Sequence, residues 1–280
     1  MDTVRREAVS VGEGELRVTL AGEGPPVLLV HGFPDDGEVW RHQIPALAAA
    51  GFRVIVPDLR GCGDSFAPDR TEDYRLTRLV ADLEALLDAL GVDTVRLAGH
   101  DWGAVIAWRF AMACPQRVCC YAALSVGHPL AYATDGAMQK LKGWYALFFQ
   151  WRGGAERLLR AGHWRLFRRL TGHPGEAARW ISRLERPGRL RAALNYYRAN
   201  LVEVLFRRDY PAVTMPVLGL WSSGDRFLTE RQMLRSADFV SGGWRYRRIE
   251  GAGHWLPLDA PAAVNDLLIP FFRGENHVPS

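Results

Sequence analysis

Asp101 stands in Gly99-His100-Asp101-Trp102-Gly103, between the apolar run "VRLA" and the small-residue run "AVIAW". A buried strand, a glycine-flanked turn and a helix make a nucleophile elbow, which lifts its central side chain clear of the backbone. That position usually carries serine; here it carries a carboxylate. Two further residues complete a set. Asp225 lies in "WSSGDRF" and His254 in "GAGHW", 29 residues later (254 − 225), each just after a strand-like run. Nucleophile, acid and histidine follow in the chain order that such an elbow requires. Asp225 would fix the tautomer of His254 and stabilise its cation, leaving the other ring nitrogen as general base. Alone, Asp225 reads as a helix cap; with His254 and the elbow it reads as machinery.

The carboxylate changes the class of reaction. Carboxylates are ionised near neutral pH, and a helix N-terminus beneath one favours its charge. Such a group needs no base in order to attack. At an sp³ carbon bearing a leaving group it forms an alkyl ester. His254 is then left with one task, activating the water that hydrolyses this ester. The oxyanion that forms needs backbone donors, expected from the amides of Trp102 and of Phe33, in the loop after "LLVHG".

The elements that must hold these residues are legible as alternating patterns. Ala8 to Leu20 alternate around "GEGE" and predict a hairpin. "PVLLVHG", "FRVIVPD", "TVRLAGH" and "CYAALSV" read as buried strands, and Leu79, Val80, Leu83, Leu86, Leu87 and Leu90 fall at helical spacing up to Gly91. "AVIAWRFAMAC" reads as a helix ending before Pro115. Strand–helix alternation of this kind predicts an α/β fold with a mostly parallel sheet and helices on both faces. The rhythm breaks over residues 128–212, which are helical and rich in Trp, Tyr and Arg. It then resumes with "MPVLGLWS", a helix, "WRYRRIEG" and a closing helix from Ala260 to Phe272. A helical block between sheet strands predicts a cap over the carboxyl edge, where open α/β sheets bind ligands. The expected division is a core of residues 1–127 and 213–280 and a cap of residues 128–212.

"HGFPD", "DLRGCGDS", "GHDWG", "GWYALFFQ", "LNYYRAN" and "GAGHW" occur in this order. Together they resemble the epoxide hydrolases of the α/β-hydrolase fold over nearly the whole chain. "GHDWG" narrows the fold to carboxylate nucleophiles, and the two cap motifs narrow it to epoxides. The resemblance implies conversion of a small-molecule epoxide and water to a vicinal diol, without cofactor. It also implies two cap tyrosines that bind the epoxide oxygen and protonate it as the ring opens. The first falls on Tyr145 and the second on Tyr197, with Tyr196 as the rival position. A phenol is chemically suited to protonate an emerging alkoxide. His31, Pro34, His100, Tyr196, Phe148 and Trp255 are expected to line or support the pocket. Asp35 sits where glutamate is frequent in the family and Cys62 where histidine is; neither is an expected proton carrier. A haloalkane dehalogenase, which shares Asp101, Trp102 and the Asp225/His254 pair, is the alternative. A non-catalytic ligand-binding module is a distant third.

Composition excludes more than it identifies. A chain of 280 residues, 48% hydrophobic, is long enough for one large core with an insertion. No run approaches the roughly 20 apolar residues of a membrane span, and the first 16 residues carry charges where a leader needs an apolar stretch. The four cysteines (Cys62, Cys114, Cys119, Cys120) suggest no disulfide framework, and with eight scattered histidines no metal site is expected. A cytoplasmic monomer or homodimer, with neither nucleic acid nor membrane as partner, is the expectation. The net charge of +4 is mild, but residues 152–198 hold twelve Arg against three Glu, a local +9 (12 − 3). Arginine at helical intervals among Leu, Trp and Phe reads as solvated helix faces, and lacks the interleaving of a nucleic-acid groove.

Overall fold

In the computed structural model, which describes residues 4–275, eight strands form one sheet in the order β1-β2-β4-β3-β5-β6-β7-β8. The leader expectation rests partly on residues 1–3, and the histidine count includes His277; both lie outside the described residues. β1 (Arg5–Ser10) and β2 (Glu15–Ala21) make the expected hairpin, with Val9 opposite Leu16. β2 pairs antiparallel with β4 (Arg53–Pro57), and from β4 onwards every pairing is parallel. β3 (Pro26–Val30), β5 (Val95–His100), β6 (Val118–Leu124) and β7 (Val217–Ser222) are almost wholly buried. This is why they read as unbroken apolar runs: helices cover a parallel sheet on both faces. β8 (Trp244–Ile249) closes the sheet.

α1 (Gln43–Ala49), α2 (Leu76–Ala89) and α3 (Trp102–Ala113) connect the first strands. α1 is too short to show a helical period, and its pattern is not visible in the sequence. Between β6 and β7 come α4 (Pro129–Ala133), α5 (Ala137–Lys142), α6 (Tyr145–Phe148), α7 (Gly154–Thr171), α8 (Pro174–Leu184) and α9 (Arg189–Phe206). α7 is interrupted at Ala161–Trp164, where Gly162 and its neighbours leave helical geometry. α10 (Glu230–Leu234), α11 (Leu256–Asp259) and α12 (Pro261–Arg273) complete the chain.

The motif "DLRGCGDS" builds a loop instead of a reactive centre. Asp58 accepts hydrogen bonds from the Gly37 amide at 2.9 Å, the Asp64 amide at 3.1 Å and Arg6 at 3.0 Å. Arg60, fully buried, forks onto Asp82 of α2 and donates to the Asp73 carbonyl at 2.7 Å. Burial pushes the Cys62 thiol up to about 12, so it stays protonated and unreactive.

The elbow forces its own glycines. A Cβ on Gly103 would lie 2.1 Å from the Val30 carbonyl oxygen and 2.5 Å from that of His31, both backbone atoms. Gly103→Ala should therefore destabilise the fold by about 1–3 kcal/mol, as overpacked sites do, measured by chemical denaturation. An unchanged midpoint would show that α3 can move away from β3 at no expense.

Candidate active site

The loops at the carboxyl ends of β3, β5, β7 and β8 bring Phe33, Asp101, Asp225 and His254 together. Asp101 is the single residue joining β5 to α3, with φ 53° and ψ −124°. The Phe33 amide donates to its Oδ1 at 2.7 Å, and its Oδ2 lies 3.4 Å from Nε2 of His254. The other ring nitrogen, Nδ1, is 2.8 Å from Oδ2 of Asp225. Asp225 Oδ1 accepts from the amides of Phe227 and Leu228 at 2.8 and 2.9 Å. Each carboxylate thus has one oxygen held by backbone and one facing the imidazole. Trp102 opens α3 immediately after Asp101.

Electrostatics follow from this geometry. Burial opposes a charged His254, but Asp225 and Asp101 outweigh it and lift the imidazole to about 10. Burial likewise opposes the Asp225 carboxylate, yet the His254 charge and the two amides hold it below its ordinary range. The resting site is a cation between two anions. His100 and His31 are of another kind. His100 Nε2 donates to the His254 carbonyl at 2.9 Å, beside Ser125 Oγ at 3.1 Å, and burial presses its pKa down to about 4. His31 Nε2 accepts from the Leu59 amide at 2.9 Å, so its Nδ1–H faces the Gly32 carbonyl at 3.1 Å. Both stay neutral and hold the loops that carry His254 and Phe33.

Above Asp101 opens a cavity of about 400 Å³, lined by Asp101, Trp102, Tyr132, Tyr145 and Tyr197 among apolar side chains. The rings of Tyr145 and Tyr197 meet edge to face at 5.9 Å, and Tyr197 stands edge-on to Trp102 at 5.0 Å. Burial, reinforced by the Asp101 charge, raises both phenols well above their usual range, so both remain proton-bearing. Tyr196 faces elsewhere: its hydroxyl donates to the Arg60 carbonyl at 2.7 Å and its ring packs on Tyr74. With Pro34 and His31 it lines a second cavity of only about 20 Å³.

One expectation needs correction. Phe148 packs on Trp144 and Phe149 and does not line the large cavity. Phe149, the buried neighbour, contacts Phe33, Tyr145 and Tyr197 at 5.6, 5.7 and 4.9 Å. Positions three and four residues after Tyr145 both fall on its helix face, and the sequence alone does not choose between them. Trp255 stands behind His254, ring to ring at 5.0 Å, and against Trp180, a supporting place outside the cavity. Tyr132 and Phe227 were missed. Tyr132 follows the end of β6 closely, a place that points at ligands in parallel sheets; Phe227 lies 4.9 Å from the His254 ring.

The dependence of His254 on two anions is testable. In Asp101→Asn, NMR titration should find its pKa lowered from about 10. A raised histidine pKa stabilises the fold fully below the unfolded value of about 6.5. That contribution is lost as pH rises through about 10, so Tm should fall over this interval, and less steeply in His254→Gln. Parallel pH profiles for the two proteins would contradict the cation between two anions.

Among known proteins, the alpha/beta hydrolase fold family matches residues 25–261. Epoxide hydrolase A of Mycobacterium tuberculosis is 36% identical over 92% of this chain and 94% of its own. A solved structure of epoxide hydrolase A from Mycobacterium thermoresistibile superposes with TM-score 0.84 at 33% identity, covering 97% of this chain and 99% of the other. A Bacillus megaterium epoxide hydrolase, solved in complex with an inhibitor, gives 0.87 at 25% identity, covering 95% and 100%.

Proposed function

The chain belongs to the epoxide hydrolases of the alpha/beta hydrolase fold, and on that premise we propose that Asp101 opens the ring by direct displacement. The observation that carries this reading is the division of labour between the two Asp101 oxygens. Oδ1 is gripped by the Phe33 amide, while Oδ2 lies 3.4 Å from His254, and the residue lines the cavity. Oδ2 attacks an epoxide carbon. Tyr145 and Tyr197, both lining the cavity, bind the epoxide oxygen, and one phenol gives it a proton as the C–O bond breaks. An alkyl ester and a tyrosinate result, with helices α4–α9 acting as the cap that holds the phenols in place.

Esterification removes one of the two anions that hold the proton on His254. Its pKa then falls, and the proton it releases balances the one the phenol gave up. Neutral His254, oriented by Asp225, takes a proton from water, and the hydroxide adds to Cγ of Asp101. The oxyanion on Oδ1 is met by the Phe33 and Trp102 amides. Collapse releases the diol, restores the carboxylate and leaves His254 protonated. Net, one epoxide and one water become one diol, with no cofactor.

A single turnover in ¹⁸O-water should place the label in Asp101 and not in the diol; label going directly to the diol would refute the ester. His254→Gln should accumulate the ester, visible by intact mass, and Asp101→Ala should lose all measurable turnover. Tyr145→Phe and Tyr197→Phe should each slow ring opening by about 10²–10⁴-fold, the range of general acid catalysis. Tyr196→Phe should keep its rate and lose about 1 kcal/mol of stability with its hydrogen bond to Arg60. The reverse pattern at positions 196 and 197 would exchange their roles.

A further inference from the structure

Met138, Leu141, Trp144 and Leu147 recur every third residue and are 60%, 67%, 51% and 64% exposed. Backbone hydrogen bonds continue from α5 into α6 across Gly143. Those of Trp144, Ala146 and Leu147 are of the i→i−3 kind, close to three residues per turn, which keeps Leu141, Trp144 and Leu147 on one side with Met138 one turn before them. The opposite face is buried at Gln139 and carries Tyr145 into the cavity. Across the cavity mouth, Val202 and Phe206 at the end of α9 are 72% and 69% exposed. Leu147 and Phe206 themselves line the cavity, so its entrance is rimmed by apolar side chains open to water. Single exposed apolar residues are ordinary, whereas a contiguous group of this kind around a pocket marks a contact surface.

The charges around this rim are mostly positive, and the acids near it, Glu203 and Asp209, are both paired with Arg207. Residues 136–155 contain Lys140, Lys142 and Arg152 and no acid. Lys140 and Arg208 line the mouth, and Arg169 and Arg226 line the adjoining cleft with Leu141 and Trp144. Asp209 is the acid beside Arg208, and Arg207 answers it at 3.4 Å. Lys142 is turned inward onto the carbonyls of Asp225 and Leu228. A second copy of the chain meeting this face about a two-fold axis would set these cations against themselves. An anionic lipid surface accepts both features, apolar side chains and tryptophan at the interface and cations at the headgroups.

We propose that the exposed stripe of α5–α6 and the end of α9 dock on the surface of an anionic bilayer, with the cavity mouth facing the lipid. No described helix is long and apolar enough to cross a membrane, which bears on spanning and leaves surface docking open. An epoxide dissolved in the bilayer then enters the cavity without crossing water. That delivery rests on the epoxide chemistry above; the docking does not.

The test is co-sedimentation of the full chain with phosphatidylcholine vesicles, with and without phosphatidylglycerol. Binding is expected to the anionic vesicles alone, and to weaken as salt is raised. Met138→Glu combined with Leu141→Glu should weaken it on the order of tenfold or more, since each apolar side chain returned to water is worth about that much. The same variant should hydrolyse a water-soluble epoxide at the original rate. Asp101→Ala should bind vesicles like the unaltered protein, so a failed mechanism and a failed docking give different results. Equal binding to both kinds of vesicle, or binding to neither, overturns the proposal. So does a dimer in sedimentation velocity that the double variant splits, because the stripe would then belong to a second copy.

Discussion

The whole site depends on turning a strand into a helix within one residue. Asp101 adopts φ 53° without being glycine, a strain on the order of 1–3 kcal/mol. The surroundings impose it. Gly99 and Gly103 let β5, α3 and β3 approach so closely that a Cβ on either would strike backbone atoms. Gly32 leaves room for the carboxylate itself, since a Cβ there would sit 2.5 Å from Asp101 Oδ1. The Asp101 carbonyl meanwhile accepts from the amides of Ala104 and Val105 and so starts α3. Its backbone is spent on the helix and its side chain is left free, aimed at the Phe33 amide and at His254. Serine at this position would need a base to become a nucleophile. Aspartate needs only to be held, and that is what the turn does.

Holding it creates a charge problem that the histidine resolves. Two carboxylates face one buried imidazole, and the least unfavourable arrangement keeps that imidazole protonated. A protonated histidine is no base, so the resting site is not yet hydrolytic. In the proposed mechanism the first chemical step removes one of the anions and thereby frees the ring to act, so that water activation is tied to the presence of ester. The neutral His100 and His31 nearby make the contrast plain: burial outweighs the carboxylates around these two rings and lowers them, whereas two carboxylates in direct contact raise His254.

Much of this was legible in the sequence because it depends on local order. The parallel strands announce themselves as unbroken apolar runs, and the elbow by its two glycines around a charged residue. Asp225 and His254 are found because each follows a strand, and strand ends share one edge of a parallel sheet. What escaped depends on which side of a helix faces which space. Tyr196 and Tyr197 are adjacent, yet one hydroxyl binds the Arg60 carbonyl while the other lines the cavity. Phe148 and Phe149 are distinguished in the same manner by packing alone. Tyr132 lies on a five-residue helix, too short to show a period.

The arginines show why counting charge within a window misleads. Arg198 pairs within the window, with Glu156 at 2.7 Å, but several others find partners outside it. Arg179 of α8 reaches Asp35 at 2.6 Å and Asp36 at 2.8 Å, both in the loop that carries Phe33. Arg183 reaches Asp36 at 3.1 Å, and Arg186 reaches Asp64 at 2.8 Å. These pairs fasten the helical block to the loops after β3 and β4, where the expectation was solvated helix faces. Asp35 and Asp36 are nearly buried, so removing their arginine would strand charge in a poor solvent. The block therefore uses opposite chemistry on its two sides. Ion pairs fix the side against the loops after β3 and β4, while the side around the mouth presents apolar chains with Lys140 and Arg208. A helical block fixed by charge on its inner side can keep an apolar entrance without losing its register over Asp101.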